Sequence, residues 1–544
     1  PGAGKTRFLV NHIKNVITNS DRLNKTRKIA CITYTNIGVN TLSERLENSL
    51  DYVEISTIHS FLYMNVIKPF AWLLEDEYNL NLAEIDGHEE FLPRMGIIKN
   101  WIFNTGQYYG SDTDFTQIQK DMRNIILRYE DDEPKWEIKQ PCKSAIKFKT
   151  IIEYKKMCWQ EGLLAHDDVL FLSYQLIEKY PRIREILRAK FSYMFIDEFQ
   201  DTNPVQTKII KMVAKKETVV GVIGDTAQSI FSFNGANLKS FINFALEDMT
   251  LYKLENNHRS TEEIITVLNN IRNDEDFIQN SSEETKGPEP EVIIGNFQDA
   301  YKTLEEFLGD EDFYTLSYTN NIVNRMKLNL EEDYDAVKAE KLLAEYGCYN
   351  RKLLIINVIQ AIEVARDNNY QDAIKLLLKA YRKNDNFNEE DALKLLHKLV
   401  NKYSVFSKLT LKKFYNNYIH GDYQTDEFSS KIGSQGSPHE LYSKINYFEL
   451  ALSFKLDNDN SFYRTIHKAK GDEFDNVLLV IPPKEKDNFI NFVEEPNLVE
   501  KEYHRYYYVA LSRAKKKLFV NLSEINDEER NLLSKIGYKV RERK

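Results

Sequence analysis

The sequence predicts an α/β protein with two parallel-sheet cores, each interrupted by a mainly helical insertion. Three observations carry that reading. Short apolar runs recur along the chain and stop abruptly at polar or charged residues, as buried strands do at the carboxyl edge of a parallel sheet. A glycine-lysine-threonine run opens the chain directly before a helical pattern. Two long stretches, roughly 70–161 and 342–452, keep helical spacing without strand–helix alternation.

Taken in order, Pro1-Gly2-Ala3-Gly4-Lys5-Thr6 matches the C-terminal part of the phosphate-binding pattern G-x-x-x-x-G-K-[ST]. The first glycine of that pattern would precede Pro1, so the sequence is expected to open inside a motif, and no signal peptide is visible. Glycines there let backbone N–H groups close around phosphate oxygens, Lys5 bridges the outer phosphates, and the Thr6 hydroxyl is a Mg²⁺ ligand. The following helix, about Thr6–Thr18, aims its positive end at the same anion. Strands are predicted at Lys28–Thr35, before a helix through Arg45, and at Val53–Thr57, ending at His59-Ser60.

The next strand, Tyr193–Ile196, stops at Asp197-Glu198, with Gln200 and Asp201 just beyond. One such carboxylate can hold Mg²⁺ through water while its neighbour takes a proton from an attacking water. Alone, the pair also reads as a solvated acidic turn; a phosphate-binding partner elsewhere in the chain favours the ligand site. Thr218–Asp225 is a further strand, followed by Gln228, and the pattern restarts at Glu291–Phe297, Phe313–Thr319, Asn476–Ile481 and Lys517–Leu522. In the first insertion Lys143, Lys147, Lys149, Lys155 and Lys156 form a stripe that is more often a solvated face than a phosphate track. In the second, Ile355, Val358, Ile359 and Ile362 mark one amphipathic face, and Ala373-Ile374, Leu377-Leu378 and Tyr381 another. The second core offers Lys470-Gly471 with Glu473, and Ser512-Arg513 after Tyr506–Tyr508. An arginine aimed at a nucleotide held by another domain stabilises phosphoryl-transfer charge when domains close.

The bulk numbers bound the class. A chain of 544 residues splits into roughly three or four domains, and 42% hydrophobic content suits globular folding. No apolar run reaches the roughly 18–20 residues of a membrane helix. Cys31, Cys142, Cys158 and Cys348 lack zinc or disulfide spacing, so a reducing, cytoplasmic setting is expected. The net charge of −10 argues weakly against a nucleic-acid binder, but a local basic groove suffices for binding.

Nine segments in chain order resemble the motifs of the UvrD/Rep/PcrA group of superfamily 1 DNA helicases. They are PGAGKTR, TYTN (Thr33–Asn36), STIHSF (Ser56–Phe61), IDEFQDTNPVQ (Ile196–Gln206), GDTAQSIFSFNGA (Gly224–Ala236), NHRS (Asn257–Ser260), SYTN (Ser317–Asn320), TIHKAKGDEF (Thr465–Phe474) and YYVALSRAKKKL (Tyr507–Leu518). The resemblance implies two RecA-like domains, one over 1–72 and 163–262 and one over 263–341 and 455–544, with insertions 1B at 73–162 and 2B at 342–454. It implies ATP and Mg²⁺ in a cleft between the cores. Gly2, Ala3, Gly4 and Lys5 would hold phosphates, and Thr6 and Asp197 the metal. Arg7 and His258 would flank the adenine, and Glu473 would meet the ribose. Glu198 would be the base, Gln228 the γ-phosphate sensor, and Arg259 and Arg513 the charge-neutralising cations. Tyr34, Thr35, Asn36, His59, Phe231, Phe233, Thr319, Asn320, Thr465 and His467 match DNA-contacting positions. By spacing alone Phe231 and Phe233 read as core; the motif assigns them to base stacking.

Two functions follow from the resemblance. One is an ATP-driven 3′-to-5′ translocase and helicase on single-stranded or tailed DNA. The other is a DNA- or nucleotide-sensing ATPase subunit that regulates a partner nuclease or another repair or defence factor, as in compact UvrD-like proteins of Gabija-type anti-phage systems. Phe233-Asn234 stands where family members commonly have Trp-Arg, and His258 where they usually have Tyr. Those departures, with a short 2B-like insertion, motivate the second reading.

Overall fold

The computed structural model describes residues 1–89, 91, 93–106, 115–139, 150–214, 217–232, 235–274, 277–282, 285–328, 349–381, 384, 386–421, 430–453 and 461–541. Cys142, Cys348, Lys143, Lys147, Lys149, Phe233 and Asn234 lie outside them. The chain forms two compact units, Pro1–Gly287 with Asn491–Ser512, and Pro288–Ile490 with Arg513–Lys544.

Among the described residues the first unit is built on four parallel strands, β1 (Lys28–Thr33), β2 (Val53–Thr57), β5 (Phe191–Ile196) and β6 (Val219–Val222), in the order β2-β1-β5-β6. Side chains alternate between faces. Ile29, Cys31 and Phe195 pack with Leu9, Val10 and Ile13 of the helix Lys5–Asn19, while Ala30, Ile32, Met194 and Ile196 pack with Val169, Leu170 and Leu172 of His166–Lys179. A sheet covered by helices on both faces must bury both sets, and this explains the near-continuous apolar strands. Because all four strands run the same way, Thr33, Thr57 and Ile196 hand the chain to Tyr34, Ile58 and Asp197 along one edge.

The first insertion carries an antiparallel hairpin, β3 (Ile125–Glu130) with β4 (Glu133–Ile138), in addition to the expected helices. Its own core gathers Ile97, Ile98, Trp101, Ile118, Met122, Ile138, Ile151, Tyr154 and Cys158. Lys155 departs from the solvated stripe expected of it. It is buried, 2.9 Å from the fully buried Asp168, with its ammonium 4.5 Å from the centre of the Trp136 ring. Lys155 lies on the buried face of the helix Ile151–Gln160, with Ile151, Tyr154, Cys158 and Trp159, and a lysine there has one low-energy option, an internal counter-ion.

The first unit also pairs β7 (Asn256–Asn257) with β8 (Asn280–Ser281), and among the described residues the second unit has six parallel strands: β9 (Glu291–Ile294), β10 (Tyr314–Ser317), β11 (Tyr463–Thr465), β12 (Phe474–Val480), β13 (Ala514–Leu522) and β14 (Lys539–Arg541). They lie in the order β11-β10-β12-β13-β9-β14. Its insertion is helical over the described residues 349–451 and has a separate core. Ile355, Val358, Ile359 and Ile362 are fully buried in it, as their spacing predicts, with Ala373, Leu377 and Tyr381 beside them.

The sequence reading divides the cores at 262/263 and gives 491–512 to the second. The compact units instead divide at Gly287/Pro288 and return 491–512 to the first. Side-chain bonds explain the placement of the second segment. Glu502 accepts hydrogen bonds from the Ser232 backbone N–H at 3.0 Å and from its hydroxyl, Arg505 donates to the Ser229 carbonyl, and Gln279 donates to the Tyr508 hydroxyl at 3.0 Å.

Candidate active site and nucleic-acid interface

The opening loop is shaped for close backbone approach. Gly2 and Gly4 both have φ of 70°, in the left-handed region that favours glycine, and a Cβ at Gly2 would lie 2.4 Å from Asn257 Oδ1. The His258 N–H donates to the Gly2 carbonyl at 2.9 Å, which holds the Asn257–Ser260 segment against the loop. Gly4 caps the helix Lys5–Asn19 without a side-chain bond, so its first N–H groups face outward as anion donors. Lys5 and Thr6 are half-buried on that first turn, Ala3 is half-buried before it, and Arg7 is exposed.

The acidic strand end joins this loop. Thr6 Oγ1 donates to Asp197 Oδ2 at 3.4 Å. Asp197 is buried, and its carboxyl is pushed up to about 6, first by burial and then by the neighbouring Glu198 charge, against the pull of Lys5 and of its bonds from the Glu198 N–H and the Thr6 hydroxyl. A hydroxyl and a carboxylate side by side are hard oxygen ligands, and a divalent cation would relieve that crowding of negative charge. The residues present therefore fit Mg²⁺.

Glu198 turns off the strand in a left-handed conformation, φ 53°, rare for a residue with a side chain. Its N–H donates to Asp197 Oδ1 at 3.0 Å, and its Oε2 accepts from the buried Gln200 amide. Gln200 Oε1 in turn accepts from the Asp225 N–H at 3.0 Å, and Gln228 Nε2 donates to Asp225 Oδ2 at 2.6 Å. One hydrogen-bonded chain thus ties Glu198 to Gln228 through Gln200 and Asp225. Arg259 is oriented by Asn257, whose Oδ1 accepts the Arg259 N–H at 2.8 Å, and its guanidinium donates to the Ser512 carbonyl at 3.0 Å. Lys5, Thr6, Asp197, Glu198, Gln228, His258 and Arg259 all belong to the first unit.

The nucleic-acid candidates of the first unit follow strand ends. The Tyr34 and Phe231 rings stack with centroids 5.0 Å apart, so Phe231 is half-buried beside an aromatic partner and is not a core residue. Asn36 and Thr35 are exposed, and the Thr35 hydroxyl caps the next helix by accepting from Gly38 N at 3.1 Å. His59 is packed among His166 and His88, at centroid distances of 5.2 and 6.3 Å. Burial, and then the His166 and His88 rings, lower it to about 3, so the ring is neutral at physiological pH. Phe233 lies outside the described residues.

In the second unit, Ser317 pairs with Thr465 across β10 and β11, so Thr319, Asn320 and His467 leave neighbouring strand ends together. The two threonine hydroxyls accept from backbone N–H groups, Thr319 from Ile322 at 3.4 Å and Thr465 from Lys468 at 3.3 Å. His467 lies 6.0 Å from the Tyr318 ring. Arg513 is buried, donates to the Asp472 carbonyl at 3.1 Å, and is followed by β13; Glu473, next to Asp472, is exposed.

Sequence reasoning left out Gln200 and Asp225 as site residues although both lie inside the motifs it used, because their part is to bond other side chains, which spacing alone does not reveal. Arg272 and Gln279, which reach the same network, lie outside every motif and carry no sequence signal.

Comparison with known proteins agrees along the chain. Residues 1–249 match the UvrD/REP helicase N-terminal domain, and 324–524 the UvrD-like helicase C-terminal domain. The Gabija protein GajB of Bacillus cereus (strain HuB5-5) is 24% identical over 98% of this chain and 94% of its own length. ATP-dependent DNA helicase PcrA of Bacillus subtilis (strain 168) is 25% identical over 50% of this chain and 36% of its own length. ATP-dependent DNA helicase Rep of Buchnera aphidicola subsp. Acyrthosiphon pisum (strain APS) is 28% identical over 50% of this chain and 41% of its own. With an N-terminal and a C-terminal domain model matched in order on two parallel-sheet units, the chain belongs to the UvrD-like helicase family, as an enzyme of the ATP-dependent DNA helicase class.

Proposed function

We propose that this chain hydrolyses ATP at the first unit's loop and uses the cycle to move 3′-to-5′ along single-stranded DNA. The observation that carries the reading is the 3.4 Å bond between Thr6 and Asp197, with Glu198 next in the chain and tied through Gln200 and Asp225 to Gln228. Thr6 and Asp197 would hold Mg²⁺, which when bound neutralises phosphate charge. Glu198 orients a water and takes its proton as it attacks. Lys5 and Arg259 offset charge on the phosphoryl oxygens, and the outward N–H groups of the loop bind the remainder. Arg513 and Glu473 serve the same nucleotide by family resemblance, and Arg7 and His258 flank its base. On DNA, Tyr34 and Phe231 offer a stacking surface, and His59, Thr35, Asn36, Thr319, Asn320, Thr465 and His467 meet the backbone or bases, with Phe233 assigned by motif alone.

A second reading rests on the similarity to a Gabija protein over nearly the full length of both chains. In it the same ATPase senses DNA or nucleotide and regulates a partner nuclease in anti-phage defence, with weak unwinding, in the bacterial cytoplasm. Among the described residues no helix is long and apolar enough to cross a membrane. Strand-displacement assays on 3′- and 5′-tailed duplexes, run beside DNA-stimulated ATPase, separate the readings. Displacement of the 3′-tailed substrate alone supports the motor. ATPase without displacement, together with co-purification of a nuclease, supports the regulator. No ATPase at any salt concentration overturns both.

A further inference from the structure

Gln228 donates to Asp225, itself a nearly buried carboxylate. Its Oδ2 accepts the Gln228 amide at 2.6 Å and lies 2.9 Å from the Pro1 nitrogen, and its Oδ1 accepts from the Ala227 N–H at 3.1 Å. The remaining contact comes from outside every motif. Arg272, at the end of the helix Glu262–Arg272, donates from its guanidinium to Asp225 Oδ1 at 3.2 Å. Arg272 is fixed in turn: Asp274 lies 3.6 Å from its Nε, the Phe277 ring lies 4.2 Å beneath it, and it hydrogen-bonds the buried Tyr508 hydroxyl.

An ionised carboxylate only accepts hydrogen bonds. Facing one, the Gln228 amide must turn its NH₂ toward Asp225, and that fixes the direction in which the amide oxygen Oε1 points. A carboxylate that lost its cation in this buried place would be driven toward a proton or out of position, and a protonated acid could hold the amide either way round. The Tyr508 hydroxyl continues the chain. It accepts from Gln279 Nε2 at 3.0 Å, and Gln279 Oε1 accepts from Asn257 Nδ2 at 3.1 Å, the residue that orients Arg259.

We infer that Arg272 is a positioning residue of the ATPase: by pairing with Asp225 it fixes which end of the Gln228 amide faces the nucleotide. The inference rests on the proposed ATPase function and goes beyond it, since the motifs assign Arg272 no role. Its substitution acts on the chemical step and leaves ATP binding alone.

The test is a double-mutant cycle on the full chain, reading kcat and KM for ATP under saturating single-stranded DNA. Arg272→Gln lowers kcat by about 10- to 100-fold, the scale of a misplaced catalytic group, with KM within about threefold. In the Gln228→Ala background the same change alters kcat by less than about twofold, because the group it positions is gone. Arg272→Lys keeps the charge and loses the fork. It loses less in the Gln228 protein and nothing further in the Gln228→Ala background, and it decides the matter if Arg272→Gln does not fold. An equal loss in both backgrounds would mean a merely structural role and overturns the inference, as would unchanged kcat in the Gln228 protein. A parent protein with no DNA-stimulated ATPase sinks the function itself, a result distinct from either.

Discussion

Replacing Glu198 with Gln isolates the proton acceptor from the scaffold around it. Glu198 Oε2 accepts from Gln200, and the backbone of residue 198 donates to Asp197. A glutamine side chain still offers an oxygen to Gln200 and leaves the backbone bond untouched, so the left-handed turn at φ 53° survives. What disappears is the base. A positioned general base contributes about 10²–10⁴ in rate, equal to about 2.7–5.4 kcal/mol at about 1.36 kcal/mol per tenfold. The change also removes a negative charge that helps hold the Asp197 carboxyl up near 6, so the metal-binding carboxylate ionises more readily and nucleotide affinity does not fall. A coupled-enzyme ATPase assay at saturating DNA, with a fluorescent ATP analogue to read binding, measures both quantities. Activity within threefold of the parent would refute the role given to Glu198. Loss of nucleotide binding in parallel with activity would show that the scaffold failed and that the base was not the group removed.

Other consequences are as concrete. Lys155→Met leaves Asp168 buried without its cation, and urea unfolding is expected to show a loss of about 3–5 kcal/mol, partly recovered by adding Asp168→Leu; a change below about 1 kcal/mol contradicts the buried pair. His59, lowered from 6.5 to about 3 by burial and then by His166 and His88, takes up a proton only in the unfolded chain across that window. Its stabilising effect is therefore complete above pH 6.5 and declines as the pH falls toward 3, and thermal melts at about pH 7.5 and about pH 5 should show an acid loss that His59→Asn reduces. Phe231→Ala removes one half of the ring pair with Tyr34 and should weaken single-stranded DNA binding by about 1–3 kcal/mol, or about 5- to 150-fold in anisotropy titrations, while ATP binding holds.

Much of this was legible in the residues because strand ends and glycine loops have few alternatives. Lys28–Thr33 is buried between its two neighbouring strands, so its apolar run and polar stop mark the sheet edge at which Tyr34 emerges, with His59 and Asp197 beyond the ends of Val53–Thr57 and Phe191–Ile196. The helical insertions showed through spacing alone, as the buried row Ile355, Val358, Ile359 and Ile362 illustrates. Long-range pairing was not legible. Lys155 reads as one of a lysine stripe until Asp168 is found beside it, and Arg272 reads as a helix-terminal cation until Asp225 is. The helix Glu502–Leu511 sits with the first unit because Glu502, Arg505 and Tyr508 each bond to residues far upstream, and no local pattern encodes that preference.

The central claim is that the loop lysine, the Thr6–Asp197 pair and the Glu198 base act as one ATPase governed by DNA. The most direct measurement is the rate of phosphate release from Mg·ATP by the parent chain and by Lys5→Ala, each with and without a single-stranded oligonucleotide. The account predicts strong stimulation by the oligonucleotide in the parent and a rate near background in the variant. A parent rate indifferent to DNA, or one that survives the loss of Lys5, would contradict it.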